Sequence, residues 1–196
     1  MSATAIKTTP LAGTWTVDPT HSNVEFSVKH LGIATVKGAF REFEGTLVVG
    51  EDLASATVAG TVNVASVDTN EPQRDEHLRS ADFFDAANHP ELTFASIAIR
   101  PVDEDTFEIE AELSMRGVTN PITLTAEVQG YEQDPWGNER VGLEITGQLK
   151  RGDYGMTFNQ ALGSGNMLVS DKVKLSLDVS AVRQAAYDGP EGDPAR

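Results

Sequence analysis

TFEIEAELSM, residues 106 to 115, decides the fold class. Phe107, Ile109, Ala111, Leu113 and Met115 take every second position, and Glu108, Glu110 and Glu112 take the positions between them. An extended chain sends successive side chains to opposite faces, so this register buries one face and wets the other. A helix, with its period of about 3.6, would mix the two sets. The segment therefore reads as a strand on the wall of a core.

The same alternation recurs outward from it, in Val24, Phe26 and Val28, in Ile122, Leu124, Ala126 and Val128, in Val141, Leu143 and Ile145, and in Val173, Leu175, Leu177 and Val179. Further strands are expected over 36–48, 56–67 and 92–100, the last with a mixed pattern that points to a bulge. Turn signals separate them: GED at 50–52, RGVTNP at 116–121, DPWGN at 134–138 and GSGN at 163–166. Half-buried strands joined by short polar turns pair antiparallel. About eight of them must stack as a sandwich or close as a barrel, and periodicity alone does not choose.

One segment departs from this, DTNEPQRDEHLRSADFFDAANHP at 68–90. Asn70 or Asp68 can cap a helix, Pro72 suits its first turn, and Gln73 or Glu71 can complete a capping box, which predicts a short helix near 71–80. Phe83 and Phe84 follow it and are large enough to anchor the crossover, as a lid over one end of the sheet structure.

Composition bounds the function. The 196 residues, 39% hydrophobic and 23% charged, suit one all-β domain, expected over 13–183 between flexible ends at 1–12 and 184–196. Thirty acidic residues against 15 basic ones give a net charge of −15, which repels phosphate backbones and argues against nucleic acid. Cysteine is absent, which removes disulfides, thiolate metal sites and thiol nucleophiles. No run of about eighteen apolar residues and no signal-peptide core occurs, so no stable membrane insertion and a cytoplasmic location are expected.

No residue pattern points to catalysis: there is no GxSxG elbow, P-loop or dinucleotide fingerprint. The four histidines, His21, His30, His77 and His89, lack metal-site spacing and read first as hydrogen-bonded packing residues. His30 is the exception of interest, because it continues the apolar face of Val24, Phe26 and Val28. Arg74, Asp75, His77 and Arg79 crowd the expected helix, either as ion pairs fixing it to the sheet or as polar groups at a pocket mouth, where arginine suits a pyrophosphate.

Four stretches, taken together and in order, resemble the YceI-like family of lipocalin-like barrels: TWTVDPTHSNVEFSVKHLGIATVKGAF, RDEHLRSADFFDAANHPELTF, LSMRGVTNPITL and RGDYGM at 151–156. The resemblance implies an extended eight-stranded antiparallel barrel around an elongated apolar cavity that holds a polyisoprenoid chain, a prenyl pyrophosphate or a quinone tail, without catalysis and with no cofactor or metal. The candidate lining is then Phe26, Val28, His30, Phe83, Phe84, Phe94, Phe107, Ile109, Ala111, Leu113, Met115, Leu124, Leu143 and Phe158. The resemblance places His21, Arg74, Asp75, His77, Arg79 and Arg151 near the mouth as a polar cluster, and it implies a homodimer. Two other readings stand beside this one: an enzyme acting on such a lipid through a histidine, and a filled barrel that works as a protein-interaction module.

Overall fold

The computed structural model describes residues 11–51, 55–165 and 167–185. The deciding stretch is strand β8 (Thr106–Met115), with Phe107, Ile109, Ala111 and Met115 buried as its alternation requires. Before it come β1 (Gly13–Val17), β2 (Asn23–His30), β3 (Ala34–Phe40), β4 (Phe43–Val49), β5 (Thr57–Asn63), β6 (Val67–Asp68), helix α1 (Pro72–Arg79) and β7 (Glu91–Pro101). After it come β9 (Val118–Gln133), β10 (Glu139–Lys150) and β11 (Val169–Arg183).

Three of the wall strands are broken in two. A 3-10 turn at Pro19–His21 divides β1 from β2, a break at Arg41–Glu42 divides β3 from β4, and a 3-10 turn at Val64–Ser66 divides β5 from β6. Rejoined, the segments make eight antiparallel strands, each paired with its neighbours in sequence. The ring closes where β1 meets β11, with Trp15 opposite Arg183 and Val17 opposite Ala181. The choice left open by periodicity is settled as a barrel.

The breaks lie side by side. The Arg41 N–H donates to the Ser66 carbonyl and the Asn63 N–H to the Glu42 carbonyl, so the second and third are stitched together. Between the pairs Thr16–Thr46 and Val24–Phe40 the first and second strands form no ladder. A crease therefore crosses three adjacent strands, while β7 to β11 run through.

Several local expectations are corrected. Residues 116–121 are mostly strand: Arg116 and Gly117, both left-handed with φ of 54° and 74°, make the whole two-residue turn, and β9 resumes at Val118. Pro121 is tolerated there because the β10 ladder reaches only to Leu124, so its missing N–H costs no pairing. Helix α1 is capped by Glu71, whose carboxylate accepts the Gln73 and Arg74 N–H groups, rather than by Asn70 or Asp68. Asp68 instead accepts the Asn70 N–H, and Asn70 is left-handed at φ 60°. The expected bulge in 92–100 is present between Ser96 and Ala98, where the Ser96 hydroxyl accepts the Val58 N–H beyond the end of the regular β5–β7 register.

Asp134–Asn138 forms the β9–β10 turn as expected. The turns at 50–52 and 163–166 extend into Asp52 and Asn166, and the two terminal tails into 1–10 and 186–196, all outside the described residues. Leu11, at the inner end of the first tail, is buried, and its carbonyl accepts the Trp15 indole N–H at 2.7 Å.

Two apolar clusters occupy the two ends of the barrel. One holds Trp15, Ile109, Val141 and Ala181. The other holds Phe40, Val64, Val67, Phe83, Phe84, Tyr154 and Met156 beside α1.

A candidate ligand cavity

Val173, Leu175, Leu177 and Val179 of β11 alternate with exposed residues and face the barrel axis, yet each is only partly buried. What they face is hollow. A cavity of about 520 Å³ runs through the barrel, inside the range of roughly 300–1,000 Å³ that small-molecule sites occupy. Its walls come from the inward positions of the strands, which are aliphatic or aromatic because a position without water must carry no unpaired polar atom.

The structure brings the expected lining together almost completely. Phe26, Val28, His30, Phe83, Phe84, Phe94, Phe107, Ile109, Leu113, Met115, Leu124, Leu143 and Phe158 all border the cavity. Ala111 does not. It is 0% exposed, its methyl covered within the packed cluster that includes Ile109, Ile122 and Leu124. The alternation that found β8 also marks residues left out of the expected lining, such as Leu175 and Leu177, whereas Leu47, Val58 and Met156 sit in stretches with a weaker period.

Of the polar residues expected at the mouth, Arg74, His77 and Arg151 border the cavity, and His30 joins them from the end of β2. Arg74 is exposed as well, so the cavity meets the surface beside it. Its Nε donates to Thr69 Oγ1 at 2.8 Å and its Nη2 to the Thr69 carbonyl at 3.0 Å. His77 stacks edge-on against Phe83 and Phe158, with Nε2 2.9 Å from Asp82 Oδ2.

Arg151 is 95% buried by the 5% exposure that remains, and carbonyls hold it: Nη1 donates to Met156 O at 2.6 Å, Nε to Ser170 O at 3.0 Å and Nη2 to Val169 O at 3.3 Å. Burial pulls its pKa below the ordinary arginine value and Asp171 opposes that, but arginine stays charged at any physiological pH. A buried cation beside an apolar cavity is the principal electrostatic feature of this end.

The other three polar residues do not border the cavity, although Asp75 and Arg79 share helix α1 with Arg74 and His77. Asp75 is buried and accepts the Thr69 N–H and hydroxyl at 2.8 and 2.6 Å, fixing the start of α1. Arg79 donates to the Ala65 and Val67 carbonyls, tying the end of α1 to the Val64–Ser66 turn and β6. His21 is far from the mouth, exposed, and paired with Asp18, which also accepts from Arg140 at 2.8 Å. The placement in the polar cluster that the resemblance implied is corrected: β2 runs its whole length between His21 and His30, and His21 is held at the far end by Asp18. Among the described residues, no group of three or more His, Asp or Glu side chains is placed to hold a metal.

Comparison with known proteins agrees with this geometry. Residues 15–181 match the family described as YceI-like domain. A UPF0312 protein of Pectobacterium atrosepticum is 41% identical over 165 residues, covering 84% of this chain and 82% of the relative. The chain belongs to the YceI-like family. Among solved structures, the YCEI protein of Campylobacter jejuni superposes with a TM-score of 0.69 at 30% identity, over 80% of this chain and 90% of that one. A polyisoprenoid binding domain from Saccharophagus degradans superposes with a TM-score of 0.68 at 19% identity, over 87% and 98%. The YceI-like barrel is thus shared across these proteins, and the second likeness speaks to fold alone. Among the described residues, no helix of this YceI-like chain is long and apolar enough to cross a membrane.

Proposed function

We propose that the protein binds and carries a long-chain isoprenoid lipid without chemically altering it. The observation that carries this reading is the cavity of about 520 Å³, walled by apolar side chains and carrying His30, Arg74, His77 and Arg151 at one end. Such a site suits a long apolar chain with a small polar or anionic head. The solved polyisoprenoid binding domain shares this fold, so a barrel of this shape is compatible with that ligand class. Affinity would come from burying methyls and methylenes, at about 25 cal/mol per Å² of apolar surface before entropic costs, and the buried Arg151 would favour a phosphate or carbonyl head. A filled barrel acting only through its exterior fits this hollow interior poorly.

A cytoplasmic site of action and pairing into a homodimer belong to the same proposal. Closure through β1 and β11 leaves only short unpaired stretches at the crease, so a dimer would need a surface patch, and light scattering at micromolar concentration tests it. The deciding experiment is organic extraction and native mass spectrometry of the purified protein. An isoprenoid in stoichiometric amount is expected; its absence, together with failure to bind an added polyprenyl phosphate, would overturn the reading.

A further inference from the structure

We propose that the outer face of β10, β11, β2 and β3, at the end of the barrel where His30 and Arg151 border the cavity, is a docking surface for an anionic lipid bilayer, which sets the cavity mouth against the membrane. The inference deepens the carrier reading and rests on it for its purpose, but the lysine face and the apolar tip are observed on the outside of the barrel.

All five lysines among the described residues, Lys29, Lys37, Lys150, Lys172 and Lys174, lie on these four neighbouring strands, exposed and pointing outward. The register sets them side by side. Lys150 is opposite Lys172, and the shift between Val169 and Val173 brings the stretch containing Lys172 opposite Lys29. One row further along, Lys174 is opposite Ser27, and Ser27 is opposite Lys37. Asp171 lies in the same shift, with its carboxylate turned to the Gly152 N–H. Among the described residues, none of the five lysines has an ion-pair partner, whereas Arg41, Arg100, Arg140 and Arg183 are each paired with a carboxylate. Glu25, Glu144 and Asp178 share this outer face but lie further along β11, at the levels of Ser176 and Asp178, so the unpaired cations are gathered at the end of the face nearer His30 and Val169.

A second feature adjoins this face. The β2–β3 hairpin tip presents Ile33 at 78% exposure, and the segment leading into β11 presents Met167 at 46%. The two tips touch, because the Leu31 N–H donates to the Leu168 carbonyl at 2.9 Å. Each exposed apolar residue lies close along the chain to one that borders the cavity, His30 for Ile33 and Leu168 for Met167. Lysines with an apolar tip beside them are the chemistry of a peripheral membrane contact, in which the cations meet anionic headgroups and the tip enters the acyl boundary. The net negative charge does not forbid it, since at a Debye length of about 8 Å a bilayer senses the face pressed against it and little beyond. Continuity of the tip with the mouth gives a lipid a route that avoids open water.

The test is vesicle flotation at physiological salt, paired with transfer of a dansyl-tagged polyprenol from the same vesicles. Wild type should float with vesicles of phosphatidylglycerol and phosphatidylcholine and not with phosphatidylcholine alone. Lys172→Glu with Lys174→Glu should weaken flotation on the order of tenfold or more and slow transfer. Ile33→Ser should also slow transfer, while both variants keep their circular dichroism and still bind the probe in detergent. Equal flotation on both vesicle types, or no dependence on the lysines, would overturn docking, including the case where an acidic protein is the true partner of this face. Loss of docking with probe binding intact leaves the carrier reading standing; docking with no probe binding under any condition overturns the carrier reading alone.

Discussion

Phe26 packs its ring across the backbone of Gly38, its partner in the β2–β3 ladder, so closely that a methyl on Gly38 would strike the ring and come 2.9 Å from Thr69 Cγ2. Gly38→Ala should therefore drive the Phe26 ring off the wall and into the cavity. The expected result is a folded protein destabilised by about 1–3 kcal/mol in urea titration, with shorter chains among its extracted lipids. Unchanged chain lengths would show that the ring yields toward Phe40 and Phe84 instead, which it already meets at centroid distances of 5.7 and 6.4 Å.

Enlarging a wall residue should have opposite consequences at two neighbouring kinds of site. Leu175 borders open space, so Leu175→Trp should fill the cavity and cost little stability while ligand occupancy falls. Ala111 is fully enclosed, so Ala111→Trp should overpack the wall and cost several kcal/mol, about the upper end of overpacking penalties or beyond, whatever it does to the ligand. Thermal melts and lipid extraction on the two variants separate the effects.

The contrast also shows what could be read from the sequence. Alternation identified the inward face of β8, and with it Phe107, Ile109 and Leu113, because face is a local property of an extended chain. Whether an inward residue reaches open space depends on the side chains across the ladder and across the barrel, which no local pattern encodes, and Ala111 was misplaced for that reason. The resemblance set His21 with the mouth residues, but β2, a strand of eight residues ending at His30, lies between His21 and the mouth and spans most of the barrel's height. Arg74 and Arg151 came together at one end only through closure of the ring. The breaks were not read from the sequence: 36–48 and 56–67 were expected as single strands, because the apolar alternation gives no signal where Arg41–Glu42 and Val64–Ser66 interrupt the ladder.

The two phenylalanines of the crossover have different partners, and their variants should differ accordingly. Phe83 meets His77 and Phe158 at 5.0 and 5.3 Å, both outside the barrel strands, whereas Phe84 meets Phe40 at 5.5 Å and Phe26 at 6.4 Å, both on the wall. Phe83→Ser should raise hydrogen exchange in 68–90 and speed lipid exchange. Phe84→Ser should lower global stability by about 3–5 kcal/mol. Identical exchange maps for the two would refute this division.

Stability should fall on the acid side through one identifiable cluster. Hydrogen bonds from Arg140 and His21 hold the Asp18 carboxyl well below the usual carboxylate range, and hydrogen bonds from Asn138, with Arg140 and Trp136 adding to them, bring Asp134 down to about 2. Carboxyls depressed in the folded state stabilise it above their unfolded pKa of about 4, and that contribution is lost as pH falls through the folded values. Wild type should therefore melt above Asp18→Asn at neutral pH, with the gap narrowing as pH falls below about 4 and still narrowing below about pH 2. A gap that does not change with pH would mean that Asp18 acts by packing rather than charge.

The crease across the first three strands gives the barrel two unlike halves. The five strands from β7 to β11 form a stiff trough, each 10 to 16 residues long without a chain break. The other three are jointed, with the joints in line, so a change of girth would be taken up along that line while the length stays fixed. Guests of one length and different thickness would then be accommodated by the same walls, the trough serving as the ruler and the jointed side as the clasp.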